Sequence, residues 1–218
     1  MNKQTSINID FIRILLCVVV IIAHVLDLLE IKNIFNTNID FYAVWTFFVL
    51  SGYVNWESIK RNSNGFFKRR LKRLLPKYYI ALAISFIIWI LTNDINSKDL
   101  IEFIHSTFMI QHILGTQAPI TNIALWSLSY EFLFYGILSM FFIRKGIGIA
   151  LIIISAFFGL LNEYVLMLGS AFVIGILLNH LKIELDFVKL KEIKISKYTY
   201  EIYIFHFPLM YLIFYLIF

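Results

Sequence analysis

The feature that most limits what this chain can fold into is its succession of long apolar runs. A helix needs about 20 predominantly apolar residues to cross the hydrocarbon core of a bilayer. Runs of that kind occupy 8–29, 40–56, 74–92, 125–143, 164–181 and 198–218, and a run at 147–161 is short for a full span. Charged residues make up only 15% of the chain against 60% hydrophobic ones, whereas a soluble domain carries roughly a quarter charged residues. There is too little polar side chain to coat a water-soluble globule, so lipid must serve as solvent for much of the surface. The expectation is an all-α, polytopic transmembrane helix bundle of about seven spans. No linker, low-complexity tract or internal repeat divides it, so residues 1–218 read as a single membrane-embedded domain. The stretch 103–115 is apolar but carries His105, Gln111 and His112, and it reads as an interfacial or re-entrant helix.

The cations set the orientation. Lys60, Arg61, Lys68, Arg69, Arg70, Lys72, Arg73 and Lys77 crowd between two runs with Glu57 as their one acid. Basic loops stay in the cytoplasm, so the first helix is expected to run outward from a cytoplasmic N-terminus. Arg144, Lys145 and the lysines from Lys182 to Lys197 then fall inside as well. Of the 19 Lys and Arg residues, Lys32 and Lys98 alone fall on outer loops, and the acid-rich stretch from Asp94 to Glu102 lies outside. Counting 103–115 as a span would reverse this agreement downstream. The net charge of +5 is thus a signature of membrane topology, and no nucleic-acid partner is expected. The first run holds Arg13 and lacks a small-residue cleavage site, so it is expected to be a retained helix. Cys17 is the lone cysteine. That excludes an internal disulfide and a cysteine-based zinc site, and no histidine pair has metal-site spacing.

Several polar residues stand inside these runs. Arg13 and His24 are eleven residues apart, which at about 100° per residue returns to nearly the same helix face, roughly 16 Å further along. Asp10, Cys17 and Asp27 lie on or near that face. Ionisable groups at membrane depth are costly unless paired or solvated, so they mark polar cavities. The bland reading is snorkelling by Arg13 and a single interhelical bond for His24; the pair on one face favours function. Glu131, the acid within the run opened by Trp126, is expected at the depth of His24, where a carboxylate would orient the imidazole or receive a proton. Arg70 and Arg73 share a helix face, and guanidinium forks suit phosphates. Ser51 and His206 are further polar positions in the second and last runs; Gly52 reads as a packing residue.

The order of these segments resembles the acyltransferase type 3 family of integral membrane acyltransferases. Arg13, ten residues, then His24 is similar to that family's first-helix signature. Phe47-Phe-Val-Leu-Ser-Gly52 is similar to its Phe-Phe-x-x-Ser-Gly segment, and Arg69-Arg-x-x-Arg73-Leu-x-Pro76 to its basic motif. Trp126-Ser-Leu-x-x-Glu131 resembles its Trp-Ser-Leu-x-x-Glu segment, and Tyr200-Glu-Ile-Tyr-Ile-Phe-His-Phe-Pro208 its closing motif. Members of the family are usually longer, with further spans between the Glu131 helix and the last one.

The resemblance implies a membrane O-acyltransferase that moves an acyl group, acetyl foremost, from cytoplasmic acyl-coenzyme A to a hydroxyl of an envelope carbohydrate or lipid-linked sugar. It implies His24, Arg13 and Glu131 as catalytic, and Arg69, Arg70 and Arg73 as donor-binding. Ser51, Trp126 and His206 would meet substrate, with no metal. His24 would act as general base or as transient acyl carrier, and both remain open. The implied setting is the bacterial cytoplasmic membrane. The competing reading is a non-catalytic membrane module or small transporter, in which the polar stripe forms a permeation path.

Overall fold

A computed structural model describes residues 2–31, 38–92, 97–159, 162–189 and 194–217. The expected positions Lys32, Asp94 and Lys191 lie outside the described residues. Among those described, the chain is helical throughout: α1 (Lys3–Leu28), α2 (Ile39–Arg61), α3 (Phe66–Thr92), α4 (Ser97–Thr107), α5 (Trp126–Ile143), α6 (Lys145–Gly159), α7 (Glu163–His180) and α8 (Thr199–Ile217). Short 3-10 turns, Ile120–Leu125 and Lys194–Tyr198, lead into α5 and α8. In hydrocarbon an unpaired backbone group finds no water, and helices answer this by bonding internally.

Five segments are long and apolar enough to cross a membrane: Lys3–Leu28, Phe66–Thr92, Ile120–Ile143, Glu163–His180 and Ile195–Ile217. This is a multi-pass membrane protein. Two of the expected spans, α2 and α6, do not reach that standard. Helix α6 has 15 residues, or about 22 Å of rise. Helix α2 is long but carries Asp40, Glu57, Lys60 and Arg61. It lies at the centre of the bundle, packed on α1 and α7, and a helix covered by protein need not be apolar all round.

Glycines set the closest helix crossing. A Cβ on Gly52 would lie 2.0 Å from the Phe172 carbonyl oxygen, and one on Gly175 would lie 1.9 Å from that of Val49. Helices α2 and α7 therefore touch backbone to backbone, the approach that small residues permit between membrane helices.

The expected interfacial helix over 103–115 is displaced. The helix is Ser97–Thr107, and the chain then turns, with positive φ at Met109 (56°) and His112 (60°). The turn is tied inward. Gln111 donates to the Tyr78 hydroxyl (3.2 Å) and the Leu125 carbonyl (3.1 Å).

One link sets the depth of everything that follows in α5. Pro208 has no N–H, so the Ile204 carbonyl one turn earlier in α8 loses its helical donor. The Asn122 side-chain amide fills that role at 3.1 Å. Asn122 itself has non-helical backbone (φ −156°, ψ 69°), so this bond pins a break in the helix against α8. The 3-10 turn is buried at Thr121, Asn122, Ala124 and Leu125. It fills the first part of the Ile120–Ile143 span, and α5 proper begins inside the bundle.

Candidate functional site

A cavity of about 370 Å³ opens among α1, α2, α3, α5, α8 and the Lys194–Tyr198 turn. Arg13, Arg70, Arg73, Ser51 and Glu131 all line it. Each comes from a different reason in the sequence. Arg13 stands near the middle of α1, whose 26 residues rise about 39 Å, and is braced by Asp10 at 3.9 Å on its own helix. Arg70 and Arg73 leave the first turns of α3, and the Arg70 guanidinium lies over the Phe66 and Tyr135 rings at 5.3 and 5.9 Å. Planar, weakly hydrated guanidinium stacks well on aromatic faces while keeping its N–H fork free for an anion.

The acid side is a compact network. Ser51 donates to Glu131 at 3.3 Å, the Tyr135 hydroxyl also donates to Glu131, and Asn55 donates to Ser51 Oγ at 3.0 Å. Arg13, Arg70, Arg73 and Lys197 against Asp10 and Glu131 leave the wall with a surplus of positive charge, and guanidinium forks match the geometry of carboxylate and phosphate groups.

Glu131 does not lie with His24, as its place in the sequence indicated. Because α5 begins inside the bundle, five residues of helix carry Glu131 to the level of Arg13 and the α3 arginines. His24 lies about 16 Å further along α1 and meets α8 instead. Its ring stacks on His206 with centroids 5.4 Å apart and planes 18° apart, and Phe207 meets it edge-on at 5.2 Å. His24 is 5% exposed and His206 7%. His206 donates from Nδ1 to the Tyr203 carbonyl at 2.6 Å.

Tyr203 is the partition between the two places. It lines the cavity, its hydroxyl pairs with Ser127 at 2.9 Å, and its ring lies 5.9 Å from that of His206. Tyr200 and Tyr203 stand out in the sequence only as members of the closing motif, and Asn55 not at all, since aromatic and amide residues in apolar runs carry no periodic signal of their own.

Two expected site residues lie elsewhere. Arg69 reaches back to the carbonyls of Asn62 and Asn64 and holds the α2–α3 turn. Trp126 packs among Phe41, His112 and Tyr164 (centroids 6.5, 5.3 and 5.4 Å). Among the described residues, no group of three His, Cys, Asp or Glu side chains is arranged to hold a metal ion.

The model of a family described as an acyltransferase domain, acyltransferase 3, matches residues 6–180, most of the chain. The chain belongs to the acyltransferase 3 family. Comparison with curated proteins and with solved structures returned no match. The matched stretch of this acyltransferase 3 member holds Arg13, His24, Ser51, Arg70, Arg73 and Glu131. His206, Tyr200 and Tyr203 lie beyond it, on the helix that closes the site.

Proposed function

We propose that this protein is a membrane O-acyltransferase that takes an acyl group, acetyl foremost, from cytoplasmic acyl-coenzyme A and places it on a hydroxyl of a cell-envelope carbohydrate or lipid-linked sugar. The observation that carries the reading is the meeting of Arg13, Arg70 and Arg73 with Glu131 and Ser51 around one cavity, with an imidazole further along the same helix face. A permeation path would need no such paired arrangement of anion site and base.

In this reading α2 and α6 complete a bundle of about seven spans, with the N-terminus and the basic α2–α3 turn in the cytoplasm of a bacterial cell. Arg70 and Arg73 hold the phosphates of the donor, with Arg69 at the rim. Glu131, fixed by Ser51 and Tyr135, keeps Arg13 and Arg70 in place. The pantetheine arm runs past Tyr203 and brings the thioester carbonyl to His24. As general base, His24 takes the proton of the acceptor hydroxyl while its oxygen attacks the thioester carbon. The carbon–sulfur bond then breaks, and coenzyme A leaves as a thiolate that recovers the proton from the imidazolium. As acyl carrier, His24 would attack first and pass the group on.

The test uses membranes containing the protein, supplied with acetyl-labelled acetyl-coenzyme A. Label is expected in the envelope glycan fraction with wild type and not with His24→Ala or Arg13→Ala, all three accumulating equally. Full labelling by His24→Ala overturns the mechanism.

A further inference from the structure

Lys197 is the one lysine in the wall of the arginine cavity, and it comes from a segment that the family match, ending at residue 180, does not cover. It stands in the 3-10 turn Lys194–Tyr198, which packs on both α1 and α8. Lys197 therefore enters the wall where α1 and α8 meet, whereas Arg70 and Arg73 enter it from α3. Lys197 is exposed and still lines the cavity, which puts it at the mouth. Its ammonium lies over the Tyr198 ring at 4.7 Å, a contact that favours the cation and holds it at the turn. The Thr199 hydroxyl donates to the Ser196 carbonyl at 2.7 Å and fixes the junction of the turn with α8.

The kind of cation matters. A guanidinium is a planar fork that fits two oxygens of one anion, and an ammonium is a compact point charge with three rotatable donors. Forks on one side of a cavity and a point charge on a separate element suit a ligand with two anionic groups of different kinds. Coenzyme A is such a ligand. Its diphosphate links the nucleoside to the pantetheine arm. Its ribose 3′-phosphate is a terminal monoester that rotates freely and, with a second pKa of about 6, carries close to two charges at neutral pH. Four cations against Asp10 and Glu131 leave positive charge for both groups.

We infer that Lys197 reads the 3′-phosphate of the donor, so that the protein selects acyl-coenzyme A over acyl thioesters that share the pantetheine arm and lack that phosphate. This rests on the acyltransferase reading above. Arg70 and Arg73 take the diphosphate, and Lys197 supplies the choice among donors. Lys197 stands at the mouth and touches no reacting atom, so its loss changes donor binding and leaves the acyl step as it is.

The experiment uses the full chain in nanodiscs, with acetyl-coenzyme A and acetyl-3′-dephospho-coenzyme A as alternative donors. With wild type the dephospho donor is expected to show a KM roughly tenfold higher. Lys197→Met keeps the stem and loses the charge. It is expected to raise the KM for acetyl-coenzyme A by about the same factor and to leave the dephospho KM and both kcat values unmoved, since the variant and the analogue remove one contact. Lys197→Arg is expected to restore most of the loss. Lys189→Met, at an exposed lysine that does not line the cavity, is the control for charge in general and is expected to behave as wild type. The wild-type preference is expected to shrink at high salt, which screens an exposed pair. If Lys197→Met discriminates between the donors as wild type does, or if wild type accepts both equally, the inference is overturned. Calorimetry with adenosine 3′,5′-bisphosphate and adenosine 5′-phosphate separates it from the reading beneath it. Tighter binding of the bisphosphate that Lys197→Met abolishes, without turnover by wild type, keeps the Lys197 site and sinks the acyltransferase. Turnover whose donor preference is unaltered in Lys197→Met sinks this inference alone.

Discussion

Ser51 Oγ donates a hydrogen bond to Glu131 Oε1 at 3.3 Å. The two residues stand 80 positions apart, in separate motifs. Their contact joins the middle of α2 to the early part of α5 and fixes a carboxylate in the wall of a cavity that Arg13, Arg70 and Arg73 also line. Glu131→Gln keeps the size of the side chain and removes the charge, leaving the Ser51 and Tyr135 donors facing an amide. Losing a hydrogen-bonded charge costs about 1.5–3 kcal/mol, so transfer is expected to fall roughly ten- to a hundredfold at unchanged protein level. Initial rates at saturating donor check this, and Tyr135→Phe is expected to cost less because Ser51 still donates.

In the proposed reaction the α3 arginines divide the donor's contacts. Arg70→Ala and Arg73→Ala are each expected to raise the acyl-coenzyme A KM about tenfold with a smaller effect on kcat, since charge-assisted contacts bind the donor before reaction. Arg70→Lys is expected to rescue poorly, because an ammonium cannot stack on Phe66 and Tyr135 while forking to a phosphate. Arg69→Ala is expected to move the donor KM least, its guanidinium being engaged by the α2–α3 turn. Donor titrations at two ionic strengths measure all four.

Much of this arrangement is legible in the sequence. Arg13 and His24 announce themselves as ionisable groups in a long apolar run, and the basic run around Arg70 and Arg73 marks one end of the bundle. The depth of Glu131 is not legible by counting from the apparent start of its span. It depends on Asn122 finding the carbonyl freed by Pro208, a contact between residues 82 and 86 positions apart that no local pattern encodes. The His24–His206 stack is hidden for the same reason: each histidine reads alone as a single buried polar residue. The helix expected over 103–115 shifted to Ser97–Thr107 because Met109 and His112 adopt left-handed backbone, which hydropathy does not register.

The α2–α7 crossing leaves no room for a side chain. Gly52→Ala and Gly175→Ala each push a methyl into a backbone carbonyl at about 2 Å, and the helices must part. Overpacking costs typically 1–3 kcal/mol, so both variants are expected to lower the thermal midpoint and accumulation in membranes. Gly146→Ala, with no atom within 4 Å of its added Cβ, is the control and is expected to behave as wild type.

The turn after α4 is expected to weaken in acid. Burial holds His112 below its ordinary value of 6.5, so the unfolded chain binds the proton more readily than the folded one. Stability from the neutral ring is complete above about 6.5 and is lost as the pH falls through the lower folded value. The thermal midpoint is expected to drop between pH 7.5 and 5.5. His112→Asn, a residue that tolerates the left-handed backbone there, is expected to flatten that dependence. Unfolding followed by tryptophan fluorescence, with Trp126 against the His112 ring, reports it.

The central claim is that the arginine cavity and His24 together move an acyl group onto an envelope sugar. The most direct measurement is mass spectrometry of envelope glycans from cells with and without the gene, each complemented by wild type or by His24→Ala. The account expects one acyl mass to vanish with the gene, to return with wild type and to stay absent with His24→Ala. An identical glycan profile in all four strains, with the protein present in the membrane, would contradict it.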